Sequence, residues 1–304
     1  MNRTATRVAL FIAFAFALDW GLVFVYDALG GKWVMPNNII LGVVYMFGPL
    51  AAAIIVQKAI YKEPVVGPLG VSFRLNRWFL VAWLLPPLIA IAIFGVSLLF
   101  PDVRYASDPM QILERFRSAM TPEQFERARA QAASLPLHPF WLALLQGLIA
   151  GATVNAVAGF GEELGWRGFL QGELSPLGFW KSSALIGLIW GFWHAPLILK
   201  GHNYPQHPVA GVFLMAAWCV LLAPLLGYVR LRAKSVMAAA VMHGTVNGTF
   251  GLSIMLLQGG NDLLVGFNGL AGFIVLAVAN LGIFAYERFL AKTPAPGGSP
   301  RTPA

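Results

Sequence analysis

Long apolar segments separated by short polar stretches constrain this chain most strongly. Crossing a hydrocarbon layer about 30 Å thick takes about 20 apolar residues in an α-helix. We draw eight such segments, at about 8–28, 39–60, 78–100, 140–162, 182–199, 208–229, 235–257 and 264–286. Only 11% of the residues are charged and 58% are hydrophobic. Continuous apolar runs are unlike the alternating strands of a membrane barrel. We therefore predict an all-α, polytopic membrane protein of about eight transmembrane helices.

The basic residues follow a membrane topology. If Arg3 and Arg7 are cytoplasmic, most Lys and Arg residues of the short loops fall on that same side, as the positive-inside rule requires. We expect both termini in the cytoplasm and a multi-pass protein of the plasma (inner) membrane. The net charge of +8 is spread over segment ends, without the basic patch and interleaved aromatic residues that indicate nucleic-acid binding. The expected partner is the lipid bilayer, and no nucleic acid.

The polar stretches divide the chain into four parts. Residues 1–139 hold the N-terminal transmembrane helices and a polar insertion at 101–139. Residues 140–257 hold a core that is rich in unusual polar groups, and 258–292 hold the final transmembrane helix. The tail 293–304 is rich in proline and glycine, and we expect it to be disordered.

One short helix is predicted inside the insertion. Thr121 can cap it, Pro122 suits the first helical position, and Gln124 completes a capping box. We expect a helix over about 122–134.

A set of polar residues lies in or beside the apolar segments of the core: Glu162, Glu163, Arg167, His194, His243 and Asn247. Ionisable groups are costly at membrane depth, so function is the default interpretation. Glu163 and Arg167 are four residues apart, which places them on one helical face as a pair. Glu162 points about 100° away and stays free to take a proton from water as a general base.

The two histidines and the asparagine complete a candidate active site. His243 and Asn247 are four residues apart and share a helix face, while His194 comes from another segment. These residues are compatible with water activation without metal. They are equally compatible with zinc held by His194, His243 and Glu162, with one position open for water.

Straight, upright helices would not bring these groups to one depth. At about 1.5 Å per residue, Glu162 lies near the inner face and His194 much deeper. We therefore predict a broken or displaced segment around 163–180, where glycine and proline accumulate. Such backbone is tolerated only if it is buried or lines a watery cavity.

Three other polar residues in the apolar segments belong to no motif and are expected to be structural hydrogen bonders: Asp19, Asn155 and Asn280.

Three motifs together resemble the CPBP family, the intramembrane endopeptidases related to Rce1-type CAAX prenyl proteases and also known as the Abi family. The family motifs are Glu-Glu-x-x-x-Arg, Phe-x-x-x-His and His-x-x-x-Asn/Asp. They are similar in order and spacing to Glu162-Glu163-Leu164-Gly165-Trp166-Arg167, Trp190-Gly191-Phe192-Trp193-His194 and His243-Gly244-Thr245-Val246-Asn247. The resemblance covers about residues 140–255. One departure is Trp190, where the family usually has Phe.

The resemblance implies peptide-bond hydrolysis in an intramembrane chamber. Glu162 and His194 would activate water, His243 and Asn247 would stabilise the oxyanion, and Glu163 and Arg167 would complete the site. The implied substrates are peptides or membrane proteins, lipidated or not: prenylated carboxyl-terminal peptides, leader peptides or bacteriocin precursors. The family is often described as metalloproteases, yet a metal-free, glutamate-dependent mechanism fits the same residues.

Two other classes of protein are considered. A proton-coupled transporter would string its polar groups along a path and often contains inverted repeats, whereas here they cluster in three motifs and no repeat is visible. A catalytically silent scaffold or immunity protein would keep the fold and bind a partner peptide. It would tolerate loss of Glu162, which a protease would not.

Overall fold

Helices dominate the structure. A computed structural model describes residues 3–106, 108, 110, 113–114, 117, 120–132 and 137–291 of the chain. Within those ranges the strands are one antiparallel pair of two residues each, β1 (Arg104–Tyr105) and β2 (Leu257–Gln258), with Arg104 opposite Gln258. The predicted all-α class is confirmed.

The helices are numbered along the chain. They are α1 (Arg3–Ala28), α2 (Asn37–Tyr45), α3 (Gly48–Ile54), α4 (Arg77–Ser97), α5 (Pro122–Ala132), α6 (Pro139–Ala152), α7 (Val154–Glu163), α8 (Phe179–Trp193), α9 (Ala195–Leu199), α10 (Pro208–Ala233), α11 (Val236–Thr249), α12 (Leu252–Met255) and α13 (Leu270–Ala285). Wider π-helical turns continue three of them: Ile55–Ile60 after α3, Leu164–Leu170 after α7 and Tyr286–Leu290 after α13. The turn after α7 leads into Gln171–Glu173 and a 3₁₀ turn at Ser175–Leu177.

Five helices among the described residues are long and apolar enough to cross a membrane: α1, Asn37–Ile60, α4, α10 and Leu270–Leu290. A sixth span is possible if α6 and Val154–Glu173, which are bent by 50° relative to each other, form one broken crossing. The chain is thus polytopic, but the predicted count of eight is not confirmed.

Two of the predicted spans form helices that are too short to cross. The apolar segment at 182–199 overlaps α8, which has 15 residues, and the segment at 235–257 contains α11, which has 14. At 1.5 Å per residue each reaches about 20 Å. α8 ends at Trp193, shortly before Pro196, a residue type that disturbs the helical ladder. The predicted segments included apolar residues beyond the ends of α8 and α11, and those residues do not continue either helix.

The core of the fold packs around α8 and α11. α8 lies along α10, and α11 packs against α4, α6 and α7. Close approach depends on glycine, because a Cβ at Gly191 would lie 2.2 Å from the Cα of Ala216, and one at Gly244 would lie 2.5 Å from the backbone nitrogen of Ala156. Small residues of this kind allow helix backbones to touch in membrane proteins.

The predicted helix of the insertion is present as α5. The backbone N–H of Gln124 donates to the Thr121 hydroxyl at 3.2 Å. The side-chain oxygen of Gln124 accepts from the backbone N–H of Thr121 at 2.9 Å. This reciprocal pair is the predicted capping box. Residues 133–134, where the predicted helix ends, and the predicted disordered tail at 293–304 lie outside the described residues.

Candidate active site

The backbone around the paired glutamates is irregular. After Glu163 the helix widens into the π-helical turn Leu164–Leu170, a form often found at functional sites. The interruption predicted around 163–180 is present as this turn and the one at Ser175–Leu177. The sharper bend, at Thr153 (φ −122°, ψ −102°), was not predicted.

Glu163 joins two of the predicted site residues. Its Oε1 accepts from Arg167 Nη1 at 3.0 Å, and both side chains are fully buried. The predicted pair is therefore present. The same Oε1 lies 2.7 Å from His243 Nδ1. Because an ionised carboxylate can only accept, the ring proton is on Nδ1, and Glu163 orients the imidazole of His243.

Glu162 is placed differently. Its Oε2 accepts from the indole Nε1 of Trp190 at 2.6 Å. Its Oε1 lies 3.9 Å from His243 Nε2, which is too far for a direct hydrogen bond. Within the described part of the chain no donor reaches Glu162 Oε1. One carboxylate oxygen is thus held and the other is available.

His194 follows the last residue of α8. Its Nδ1 lies 2.8 Å from the carbonyl oxygen of Trp190, and since a carbonyl only accepts, this nitrogen carries the proton and Nε2 is left for another partner. The His194 ring also packs edge-on against Trp193, with centroids 4.7 Å apart. Trp193 is held in turn by Asp19, whose carboxylate accepts its indole N–H at 2.7 Å.

The other two intramembrane polar residues also form the hydrogen bonds expected of structural groups. Asn155 Nδ2 donates to the Gly244 carbonyl at 3.3 Å, and Asn280 Nδ2 donates to the Leu221 carbonyl at 2.7 Å. Together with Asp19, they link different helices instead of lining the cavity.

A cavity of about 370 Å³ collects most of the polar cluster. Four of the six predicted site residues line it: Glu162, His194, His243 and Asn247. Glu163 and Arg167 are not among its lining residues. Glu163 holds the ring of His243, and Arg167 pairs with Glu163. Large aromatic side chains complete the wall: Tyr45, Trp190, Trp193 and Trp218. Four groups able to handle protons or donate hydrogen bonds therefore share one mostly apolar space.

Sequence reasoning missed His202, which also lines the cavity. It lies in the loop before α10, between Gly201 (φ +91°) and Asn203 (φ +61°). Burial lowers its pKa to about 4, so the ring is neutral at pH 7. The Gly-His-Asn sequence predicts a tight turn, but no spacing connects it to the other motifs.

The predicted zinc ligands are not gathered as a ligand set. Within the described ranges, no three His, Cys, Asp or Glu side chains are placed to hold one metal ion. His194 and His243 each use Nδ1 on a protein acceptor, which leaves their Nε2 atoms. Zinc-binding histidines are usually held in this way, with one ring nitrogen on a protein oxygen and the other free for the metal. Zinc at Glu162 and the two histidines therefore stays a prediction, and we derive no step through a metal.

Comparison with known proteins agrees with the geometry. Residues 136–249 match the sequence model of the family described as type II CAAX prenyl endopeptidase Rce1-like. A stretch of 58 residues is 38% identical to CAAX prenyl protease 2 of Methanococcus maripaludis, covering 19% of this chain and 20% of that protein. The matched stretch thus spans about one fifth of that relative's length. The family match includes all six predicted site residues.

Proposed function

We propose that this protein is an intramembrane endopeptidase whose catalytic core is residues 140–257. The proposal is supported by the match of residues 136–249 to the sequence model of the Rce1-like family. The observation that carries the proposal is the Glu162 carboxylate. Its Oε2 is held by Trp190, while its Oε1 is available beside the cavity that it shares with His194, His243 and Asn247. A general base needs this arrangement: a fixed carboxylate with one free oxygen where water can bind.

The chemistry begins with a water molecule between Glu162 and His194. Glu162 Oε1 takes a proton from the water as its oxygen attacks the peptide carbonyl, and His194 Nε2 orients the water by accepting its other hydrogen. The general base contributes about 10²- to 10⁴-fold in rate. Glu162 then returns the proton to the departing amine, so that no proton is lost over the cycle.

The developing oxyanion requires hydrogen-bond donors in the same cavity. The Asn247 amide supplies one. His243 Nε2 supplies another when its ring is protonated, and the ring lies between Glu163 Oε1 at 2.7 Å and Glu162 Oε1 at 3.9 Å. Two neighbouring carboxylates stabilise that positive charge. One preorganised donor of this kind contributes about 2.7 to 4 kcal/mol.

The proposed substrate is a peptide or a membrane-protein segment that reaches the cavity from the bilayer. The cavity walls are mostly apolar and include several large aromatic side chains, and lipidation of the substrate is part of the proposal. We place the protein in the plasma (inner) membrane with both termini in the cytoplasm. Zinc remains a prediction for a chelator to test.

Peptide cleavage by the detergent-purified protein tests the proposal. Wild type is assayed beside Glu162→Gln on lipidated and unlipidated peptides, with and without chelator. The substitution keeps the size of the side chain and removes the base, so we expect a loss of about 100-fold or more. Glu173→Gln is the matched control, because Glu173 lies at the end of the same helical segment, Val154–Glu173, but accepts a hydrogen bond from Arg7 at 2.6 Å.

Each result has a distinct meaning. Cleavage by wild type and by Glu173→Gln, but not by Glu162→Gln, supports the protease. Equal cleavage by all three removes Glu162 from the mechanism. Absence of cleavage by wild type over the whole panel favours a silent scaffold that only binds peptide. Loss of wild-type cleavage with chelator would require a metal.

A further inference from the structure

Trp190 is buried at the centre of the polar cluster, with 1% of its surface exposed. Its indole N–H donates to Glu162 Oε2 at 2.6 Å, and its backbone carbonyl lies 2.8 Å from His194 Nδ1. The face of its ring lies 4.4 Å from the Arg167 guanidinium carbon, and its centroid is 5.7 Å from that of His243. One residue therefore contacts groups from each of the three motifs.

The indole donor decides which carboxylate oxygen of Glu162 is available. A carboxylate can rotate about its last side-chain bond, a broad and roughly two-fold torsion. With Oε2 fixed on Trp190, the oxygen on the side of His243 and the cavity is Oε1. We propose that Trp190 is a positioning residue that holds Glu162 in this orientation. This inference rests on the proposed function, in which Oε1 takes the proton from water.

Trp190 is itself held rigidly enough for this role. The guanidinium of Arg167 covers one face of its ring, a cation–π contact that is stronger in a desolvated site. The Arg167 side chain is fixed in turn by its ion pair with Glu163 at 3.0 Å. The indole that donates to Glu162 is thus held in one orientation by a series of buried contacts through Arg167 and Glu163.

Trp190→Phe isolates the N–H group. A phenyl ring keeps an aromatic face toward Arg167, and the backbone carbonyl that His194 uses is unchanged. The donor to Glu162 is lost together with part of the ring volume, and no other donor to Oε2 is present in the described residues. Hydrogen bonds to charged groups are stronger than those between neutral groups, so we expect loss of this donor to lower the rate about tenfold or more.

Trp218 provides a matched control in the same cavity. Its ring centroid lies 6.2 Å from that of Trp190, and it also lines the cavity. Its Nε1 is buried and donates to no acceptor in the described part of the chain. Trp218→Phe therefore removes a buried indole N–H from the same wall without breaking a hydrogen bond.

The first test observes the indole N–H directly and needs no activity. The ¹⁵N-labelled indole resonances are recorded in detergent for wild type, Trp190→Phe, Trp218→Phe and Glu162→Ala. The resonances lost in the two Phe variants identify Trp190 and Trp218. We expect Glu162→Ala to shift the Trp190 indole proton strongly upfield and to leave that of Trp218 in place. An unchanged Trp190 resonance would overturn the inference.

The second test is kinetic. We expect Trp190→Phe to lower kcat about tenfold or more with KM within about twofold. Trp218→Phe alters the cavity wall without breaking a hydrogen bond, so we expect it to act mainly on KM, with a clearly smaller change in kcat. Thermal unfolding should be similar for the two variants. Wild-type kcat in Trp190→Phe would overturn the positioning role and leave the proposed protease intact. If wild type cleaves no peptide, the proposed function fails instead, and the indole resonance still decides the hydrogen bond.

Discussion

The helices on the outside of the molecule and those of its core follow different rules. α1 and the segment Leu270–Leu290, which is α13 with its π-helical turn, are long, and only 22% and 17% of their most apolar stretches are buried in the protein. α8 and α11 have 15 and 14 residues, and most of their side chains are buried. Outer helices match the thickness of the bilayer, as lipid exposure requires. Core helices are released from that requirement, so their ends can carry polar groups into the interior.

The ion pairs of the two regions differ in the same way. Glu163 and Arg167 in the core have side chains exposed by only 0% and 1%. Asp27 and Lys200, at the outer end of α1, are exposed by 42% and 21%. A buried charge that loses its partner is strongly destabilising, whereas an exposed pair contributes little.

The largest effect on stability is therefore expected at Arg167. Arg167→Met leaves the Glu163 carboxylate without its guanidinium, and we expect a loss of about 3 to 5 kcal/mol in unfolding free energy. Lys200→Met likewise removes the cation of an ion pair, but of an exposed one. It should lower the free energy of unfolding by about 0 to 1 kcal/mol. Denaturant titration in detergent measures both, and similar losses for the two variants would break the contrast between core and periphery.

Helix packing sharpens the contrast with a smaller effect. In the core, a Cβ at Gly191 would lie 2.2 Å from the Cα of Ala216. At Gly21 in the outer helix α1, nothing in the described structure lies within 4 Å of such an atom. We expect Gly191→Ala to destabilise by about 1 to 3 kcal/mol through overpacking. Gly21→Ala should be neutral or stabilise by up to about 1 kcal/mol.

Thermal unfolding of the two alanine variants in one detergent tests this. Equal melting temperatures would show that α8 and α10 do not approach as closely as Gly191 requires. A lower melting temperature for Gly21→Ala alone would show that another helix or chain packs against α1 at Gly21.

The smallest effect concerns His202 and pH. Its pKa is lowered to about 4 in the folded protein by burial, while an unfolded histidine titrates near 6.5. The unfolded chain therefore binds the proton first, and the stability contribution of neutral His202 is full above about pH 6.5 and is lost as the pH falls toward 4. His202→Gln should lose less stability than wild type between pH 7 and pH 4.5. Parallel losses in melting temperature for the two proteins would contradict this.

Local rules predicted the parts of the structure that depend on local spacing. The Glu163–Arg167 pair follows from four-residue spacing on one helix, and the capping box at Thr121 follows from residues three apart. The outer helix α1 follows from continuous hydropathy. In each case the determining residues lie within one helical segment.

Contacts between distant segments could not be predicted in this way. The hydrogen bond from Trp190 to Glu162 joins residues 28 positions apart, and the place of His202 in the cavity depends on a loop between helices. The bend at Thr153 has no proline or glycine at that residue to indicate it. The predicted count of eight spans is also not confirmed, because hydropathy cannot distinguish lipid-facing apolar residues from those buried in protein, and α8 and α11 have only 15 and 14 residues.

The central claim is that the carboxylate of the core cavity performs hydrolysis and that a buried carboxylate outside it does not. Cleavage rates of Glu162→Gln and Asp19→Asn on one peptide test it most directly, since both replace a buried carboxylate by its amide. Asp19 is 2% exposed in outer helix α1 and accepts from Trp193, a bond that an amide oxygen preserves. We predict a loss of about 100-fold or more for Glu162→Gln and less than about tenfold for Asp19→Asn. Equal rates for the two variants would contradict the account.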